Sequence, residues 1–324
     1  MTVGAALIGA TGMWAPRIAA AVERGFGLRL VTCHGRDDEK RGAFASEHGI
    51  EAAESFEAAI QHPDVDAVLL VTPNDLHREH ALACAERGRH VFVEKPIADT
   101  VEAGKEMRER FAAAGLVLAV GHGMRRLGAA RKAKELLDDG ALGTVVLAEA
   151  NWSLPTRLTP AAWRWYRERA PGGPLLQLGV HHVDTLAYWL GPIARSSGRF
   201  GHLATEAEID DVGVVCLEFE RGPLGVITGS YVSPRTYFLR LYGTEAVLEY
   251  DVDMSVWPRA DEADAATRLT LRTREEARTI PFEPRDPIAE ELDEFAAAVR
   301  GEAVPETGAD EGIAALQVIL EAVG

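Results

Sequence analysis

Over the first third of the chain, short apolar runs alternate with stretches in which apolar residues return every three or four positions. Val3–Ile8, Leu28–Cys33, Val65–Val71, His90–Val93 and Leu116–Val120 are the runs. Pro16–Glu23, Glu39–His48, His77–Arg87 and Val101–Ala113 carry the helical period between them. Continuous apolar runs mark strands buried on both faces, and strand–helix alternation builds a parallel sheet with helices on both sides. The pattern predicts a doubly wound domain over residues 1–121.

After Gly121 the texture changes. One helix, Ala129–Asp139, ends at Gly140, and then strand follows strand: Val145–Ser153, Gly213–Glu220, Leu224–Val232, Tyr237–Tyr242, Ala246–Asp251 and Leu269–Arg272. "LYGTEAVLEY" reads as a hairpin around Gly243-Thr244. A loop rich in Trp and Arg and a helix near Leu178–Leu190 interrupt the strands, and Pro258–Thr267 is the most loop-like stretch. Two helices close the chain, the first with Asp286 as cap and Pro287 in its first turn. Residues 122–324 are therefore expected to form an α+β domain on a large, mostly antiparallel open sheet.

The formal charge of −16 argues against nucleic acid or an anionic membrane as partner, since both reward a basic surface. A small anionic cofactor needs only a local site. Three cysteines, Cys33, Cys84 and Cys216, lack metal-ligand spacing, as do the scattered histidines, so no metal is expected. The odd cysteine count suits a reducing cytosol. The apolar start has no basic region before it, which reads as no secretion signal, and no run is long enough to span a bilayer. A cytoplasmic location is the expectation.

"LIGATGMWAPRIAAAV" follows a strand and opens a helix, the context a dinucleotide fingerprint requires. As G-x-G-x-x-G only Gly9 fits, with Thr11 and Trp14 at the other glycine positions; as G-x-x-G-x-x-A, Gly9, Gly12 and Ala15 all fit. The amides of Thr11, Gly12 and Met13 would hold a pyrophosphate at the helix N-terminus. The next strand leads to Gly35 and Arg36 where NAD binding usually wants an acidic residue. A guanidinium can pair with a 2′-phosphate, so NADP is favoured over NAD, although Asp37 and Asp38 lie close by. "HVFVEKPIAD" ends a buried strand in Glu94, Lys95 and Pro96, which places a lysine at the carboxyl edge of a parallel sheet, where open α/β folds bind ligands.

Thr72, Pro73, Asn74 and His77 spell T-P-N-x-x-H, and a helix later comes G-x-H-V-x-x-E-K-P. Together with "VGHGMRR", "LLDDGALGTV", "GGPLLQLGVHHVDTLAYWLG" and "YGTEAVLEY", this order resembles the Gfo/Idh/MocA oxidoreductase family over nearly the whole chain. The resemblance implies a Rossmann domain, a second domain with a large open sheet, and hydride transfer between NAD(P) and a sugar, polyol or related alcohol. It implies that Lys95 faces substrate and nicotinamide and lowers the pKa of the reacting hydroxyl or relays its proton, with Glu94 offsetting its charge. It further implies a cis Lys95–Pro96 bond, cofactor contacts from Trp14, Thr72, Pro73, Asn74 and His77, and His181 as a proton-transfer partner. At helical spacing Gln177, His181, Asp184 and Tyr188 share one face. Gln177 departs from the family's aspartate and can hydrogen-bond a hydroxyl but not take its proton.

Arg125, Trp163, Gln177, His181 and Asp184 are the expected substrate contacts. The loop around Trp163, with its arginines, suits a substrate bearing a carboxylate or phosphate on a flat or cyclic body, and equally suits packing or an interface. The function expected is oxidation or reduction at a secondary alcohol carbon of a cyclic sugar or polyol. The rivals are an aromatic dihydrodiol dehydrogenase and an NAD(P)-binding regulator without turnover. The open sheet is expected to pair copies of the chain into a homodimer or homotetramer.

Overall fold

The computed structural model describes residues 2–255 and 263–324, which form two compact units. Met1–His122 and Ile288–Ile313 make the first; Gly123–Pro287 and Ala314–Gly324 make the second. In chain order the first unit holds β1 (Val3–Ile8), α1 (Ala15–Arg24), β2 (Leu28–His34), α2 (Asp38–His48), β3 (Glu51–Ala52), α3 (Phe56–Gln61), β4 (Ala67–Leu70), α4 (His77–Glu86), β5 (His90–Glu94), α5 (Val101–Ala114) and β6 (Leu118–Gly121). Every strand pairing in it is parallel, in the order β3-β2-β1-β4-β5-β6. β1 and β4 are buried at every position, as helices on both faces demand. The strand order turns between β1 and β4, which opens a crevice at their carboxyl ends.

The second unit begins with α6 (Gly128–Asp138) and β7 (Val145–Ser153), continues through α7 (Val180–Leu190), and then lays down β8 (Ile193–Gly201), β9 (Val212–Phe219), β10 (Leu224–Ser230), β11 (Thr236–Gly243), β12 (Val247–Val252), β13 (Thr267–Arg272) and β14 (Ala277–Thr279). These form one eight-stranded sheet, β14-β13-β12-β11-β7-β10-β9-β8, antiparallel except where β10 runs parallel to β7. Register places Ala148, Ala150, Ile227, Leu217, Leu239 and Leu241 on a buried face. Leu147, Leu224, Val214 and Phe238 lie on the other, with Leu224 56% exposed. Gly243 N–H donates to Ala246 O, which closes the expected hairpin.

Two helices remain, α8 (Pro287–Val299) and α9 (Ala309–Val323). The expected division assigned all of 122–324 to the second domain, but the chain returns and α8 belongs to the first unit. Asp293 on α8 accepts hydrogen bonds from the Phe26 and Gly27 amides at 2.8 and 2.7 Å, and Phe295 packs on Phe92 of β5 at 5.9 Å. Thr307, beyond α8, bonds both backbone groups of Val120 on β6. Sequence distance from the first domain hid this return.

Short or edge elements left no periodic signal: β3, α3, β8 and β14 were not foreseen. β8 is an edge strand whose polar residues mostly face water, so it lacks an apolar period. Of the loop-like stretch Pro258–Thr267, residues 258–262 lie outside the described residues; the remainder is turn leading into β13. No helix among the described residues is long and apolar enough to cross a membrane, and no group of His, Cys, Asp or Glu among them could hold a metal ion.

Candidate functional site

At the end of β1 the chain turns sharply. Gly9 has φ +102°, and a Cβ there would stand 2.8 Å from Val71 O, so backbone conformation and close approach both require glycine. Gly12 N–H donates to Gly9 O at 2.8 Å, closing the turn. α1 then starts at Ala15 with Pro16 in its first turn and no side-chain cap; the Ala15 and Arg17 amides donate to Gly12 O and Trp14 O within the turn. Arg17 lies over the Trp14 ring at 4.8 Å and Met13 is 72% exposed. Gly35, which follows β2, was read only for the acidic residue it replaces, but it also shapes the turn: a Cβ on it would meet the Thr11 side chain at 2.7 Å. The empty side-chain position lets the turn seat against β2.

Beyond Gly35, Arg36 is exposed and makes no hydrogen bond or ion pair with any described residue. The two nearby aspartates are otherwise engaged. Asp37 caps α2 by accepting from the Lys40 amide at 3.0 Å and pairs with the Lys40 ammonium, and that amide bond leads the effects holding its carboxyl below the usual range. Asp38 pairs with Arg41 at 2.8 Å, while Arg41 also donates to Gly35 O. The charge expected to oppose a phosphate at Arg36 is thus directed into the helix.

The loop after β4 carries Thr72, Pro73 and Asn74. Asn74 is 2% exposed, and both polar atoms of its side chain lack a hydrogen-bond partner among the described residues. A buried amide in that condition is completed by a ligand or by water. His77, expected along the cofactor edge, is instead buried beneath the loop. Its Nε2 lies 2.8 Å from Thr72 O and its Nδ1 3.0 Å from Pro96 O, so it ties this loop to the one after β5. Burial pushes its imidazole down to about 4, against the two carbonyls, which favour the proton.

β5 ends in Glu94, buried, with half-buried Lys95 next and a cis Lys95–Pro96 bond, as expected. Burial raises the Glu94 pKa while the neighbouring Lys95 charge opposes the shift. Because the sheet is parallel throughout, Lys95 stands on the same carboxyl edge as the Gly9–Trp14 turn, with β4 between their strands. A glycine turn, an uncapped helix start and an unpartnered buried amide on one edge fit a dinucleotide, which Gly9, Thr11, Gly12, Met13, Trp14 and Asn74 would hold.

In the second unit the residues expected around a substrate are mostly buried. Gln177 lies in a π-helical turn, Leu175–Gly179, that leads into α7, and is 4% exposed; His181 is 4% and Asp184 2% exposed. The polar stripe is therefore an interior face, not a solvated one. His181 packs against the Trp152 ring at 5.3 Å. His182, fully buried, faces Trp152 and Tyr237, and burial pushes its pKa down to about 4. Asp184 receives Arg125 through two buried bonds, Nε to Oδ2 at 2.9 Å and Nη2 to Oδ1 at 2.6 Å. Two residues expected to meet substrate thus meet each other. Trp163 lies in a short helical turn and carries the Arg164 guanidinium 4.4 Å over its ring. Arg164 Nε donates to Gln177 Oε1 at 3.3 Å. The sequence offered several arginines in this loop and no means of singling out Arg164.

Residues 3–122 match the oxidoreductase family with an NAD-binding Rossmann fold, and residues 130–249 match the GFO/IDH/MocA C-terminal domain. The 1,5-anhydro-D-fructose reductase of Ensifer adhaerens is 30% identical over 98% of this chain and 94% of its own. A putative NADPH-dependent oxidoreductase from Desulfitobacterium hafniense superposes with a TM-score of 0.95 at 35% identity, covering 100% of this chain and 95% of that one. The aldose-aldose oxidoreductase of Caulobacter crescentus, solved with glycerol, gives 0.87 at 25% identity, covering 100% and 98%.

Proposed function

The chain belongs to the Gfo/Idh/MocA oxidoreductases, and on that premise we propose that it moves a hydride between NADP(H) and a secondary alcohol carbon of a cyclic sugar or polyol. The observation that carries this reading is Lys95, half-buried on the same sheet edge as the nucleotide turn. The bound nicotinamide supplies the hydride acceptor or donor. In the oxidative direction the carbinol loses its hydroxyl proton to the protein as its hydride leaves, and a carbonyl forms; reduction returns both. Lys95 handles that proton or lowers the hydroxyl pKa, and His181 is the second proton-handling group. Gln177 contributes a hydrogen bond alone, because an amide does not exchange a proton in this chemistry.

NADP is preferred in this reading because Arg36 is an uncommitted cation beside the turn while Asp37 and Asp38 face α2. Arg125 and Asp184, tied to each other, position α7 and do not contact substrate in this account. A second copy of the chain covers the open sheet face that carries Leu147, Val214 and Leu224; light scattering at micromolar concentration should give at least a dimer. The deciding experiment is a cofactor-coupled absorbance screen over aldoses, 1,5-anhydro sugars, inositols, sugar acids and dihydrodiols. Turnover confined to dihydrodiols would transfer the assignment to aromatic substrates, and no turnover on any class would favour a regulator.

A further inference from the structure

His77 stands where a neutral imidazole has one proton too few. Its side chain is 1% exposed, with Nε2 2.8 Å from Thr72 O and Nδ1 3.0 Å from Pro96 O. A carbonyl oxygen only accepts, and a neutral ring carries a single N–H. In the neutral ring one contact is a hydrogen bond and the other sets a nitrogen lone pair against a carbonyl oxygen. Only the imidazolium donates to both. Burial opposes that charge most strongly, the carbonyls of Thr72, Pro96 and Ile97 favour it, and His80, three positions on along α4, opposes it.

The two carbonyls belong to the two loops that carry the candidate chemistry. Thr72 leads through Pro73 to Asn74, whose buried amide has no partner among the described residues, and Pro96 follows Lys95. Of the elements packed on α4, β4 presents no titratable side chain and β5 ends in Glu94, with Lys95 next. The short turn before α4 holds Asp75, and α5 sends Glu106 to Arg78, one position beyond His77. The carboxyl edge of this sheet also bears the Gly9–Trp14 turn, on β1, which pairs with β4. Negative charge from a dinucleotide held at that turn would act through a low-dielectric interior and favour the imidazolium.

We propose that His77 is a positioning residue that couples the cofactor seat to Lys95: when a dinucleotide binds, the ring takes up one proton from solvent, donates to both Thr72 O and Pro96 O, and holds the Asn74 loop and the Lys95 loop in one arrangement. The proposal rests on the oxidoreductase reading of this chain and adds a proton-linked clamp to the same site. Because the complex then holds more protons than the free protein, cofactor affinity rises as pH falls.

The test is calorimetric titration of the full chain with NADH at pH 6, in buffers of different ionisation enthalpy, which counts protons taken up on binding. NADH lacks the 2′-phosphate, itself a titrating group in this range. Wild type should take up about 0.5 to 1 proton, and its NADH affinity should rise roughly tenfold from pH 7.5 to 5.5. His77→Asn and His77→Phe should abolish the uptake and flatten that pH dependence, while His80→Gln should keep both. His77→Phe should also weaken NADH binding and lower kcat about tenfold each, since both loops lose their tie, and His77→Asn, which keeps one donor, should recover part of both. The same difference between wild type and the His77 variants should appear with NADPH. No proton uptake by wild type with either cofactor, or uptake undiminished in His77→Asn, overturns the proposal. Nitrogen-15 spectra of histidine-labelled wild type decide the matter even where a His77 variant fails to fold: a buried ring should become doubly protonated on addition of NADH, and no such change overturns the proposal. The proton count is read without substrate, so absence of turnover on any sugar would count against the proposed reaction and leave this measurement standing.

Discussion

Arg125 and Asp184, separated by 59 positions in the sequence, meet in a two-pronged ion pair with both side chains buried. The pair joins the segment before α6 to the middle of α7, so its work is to fix the helix that carries His181. Removing one partner of a buried pair strands the other charge and costs about 3–5 kcal/mol. Asp184→Asn and Arg125→Leu should each show that loss in urea melts, and the double variant Arg125→Met, Asp184→Leu should recover much of it. A single variant of unchanged stability with raised KM would instead return both residues to the substrate.

Lys95→Met should lower turnover about 10²- to 10⁴-fold, the usual contribution of a positioned acid–base group, with cofactor affinity preserved. Gln177→Ala should raise KM more than it lowers kcat. Steady-state kinetics of the two variants side by side makes the distinction. A Lys95 variant indistinguishable from wild type, in a protein without turnover, is what the regulator reading predicts.

Arg36→Ala should weaken NADPH binding by roughly 10- to 100-fold, the scale of a charge-assisted hydrogen bond, and leave NADH affinity nearly unchanged. Fluorescence titration with both cofactors measures this. Tighter binding of NADH by wild type would count against the assigned preference.

Stability should fall on acidification through the buried histidines. His182 is held down to about 4 by burial, against an ordinary value of 6.5. The unfolded chain therefore takes up a proton between pH 6.5 and 4 that the folded chain refuses. The stabilisation is complete above pH 6.5 and is lost as pH falls toward 4, with a size on the order of 3 kcal/mol. His77, likewise lowered to about 4, acts in the same direction over the same window. His182→Phe, which removes the titrating group from its aromatic surroundings, should flatten the fall of Tm between pH 6.5 and 4. A slope equal to wild type would place the acid sensitivity elsewhere.

The sequence alone determined the layers and the nucleotide turn, because both rest on local physics. Burial on two faces forces the continuous apolar runs of β1 and β4, and only glycine supplies the positive φ at Gly9. Lys95 was also legible, since a lysine and a proline ending a buried strand mark a sheet edge. What needed the tertiary structure was every relationship set by long-range packing. The return of α8 to the first unit depends on Asp293 reaching the Phe26 and Gly27 amides, contacts that no local pattern encodes. Asp184 read as a substrate ligand until Arg125 was found on it, and His77 as a cofactor contact until both ring nitrogens lay against backbone carbonyls. Arg164 was one arginine among several in its loop. Folding set its surroundings, by placing it over Trp163 and beside Gln177, because the consequence of a charge depends on its surroundings and sequence gives only its presence.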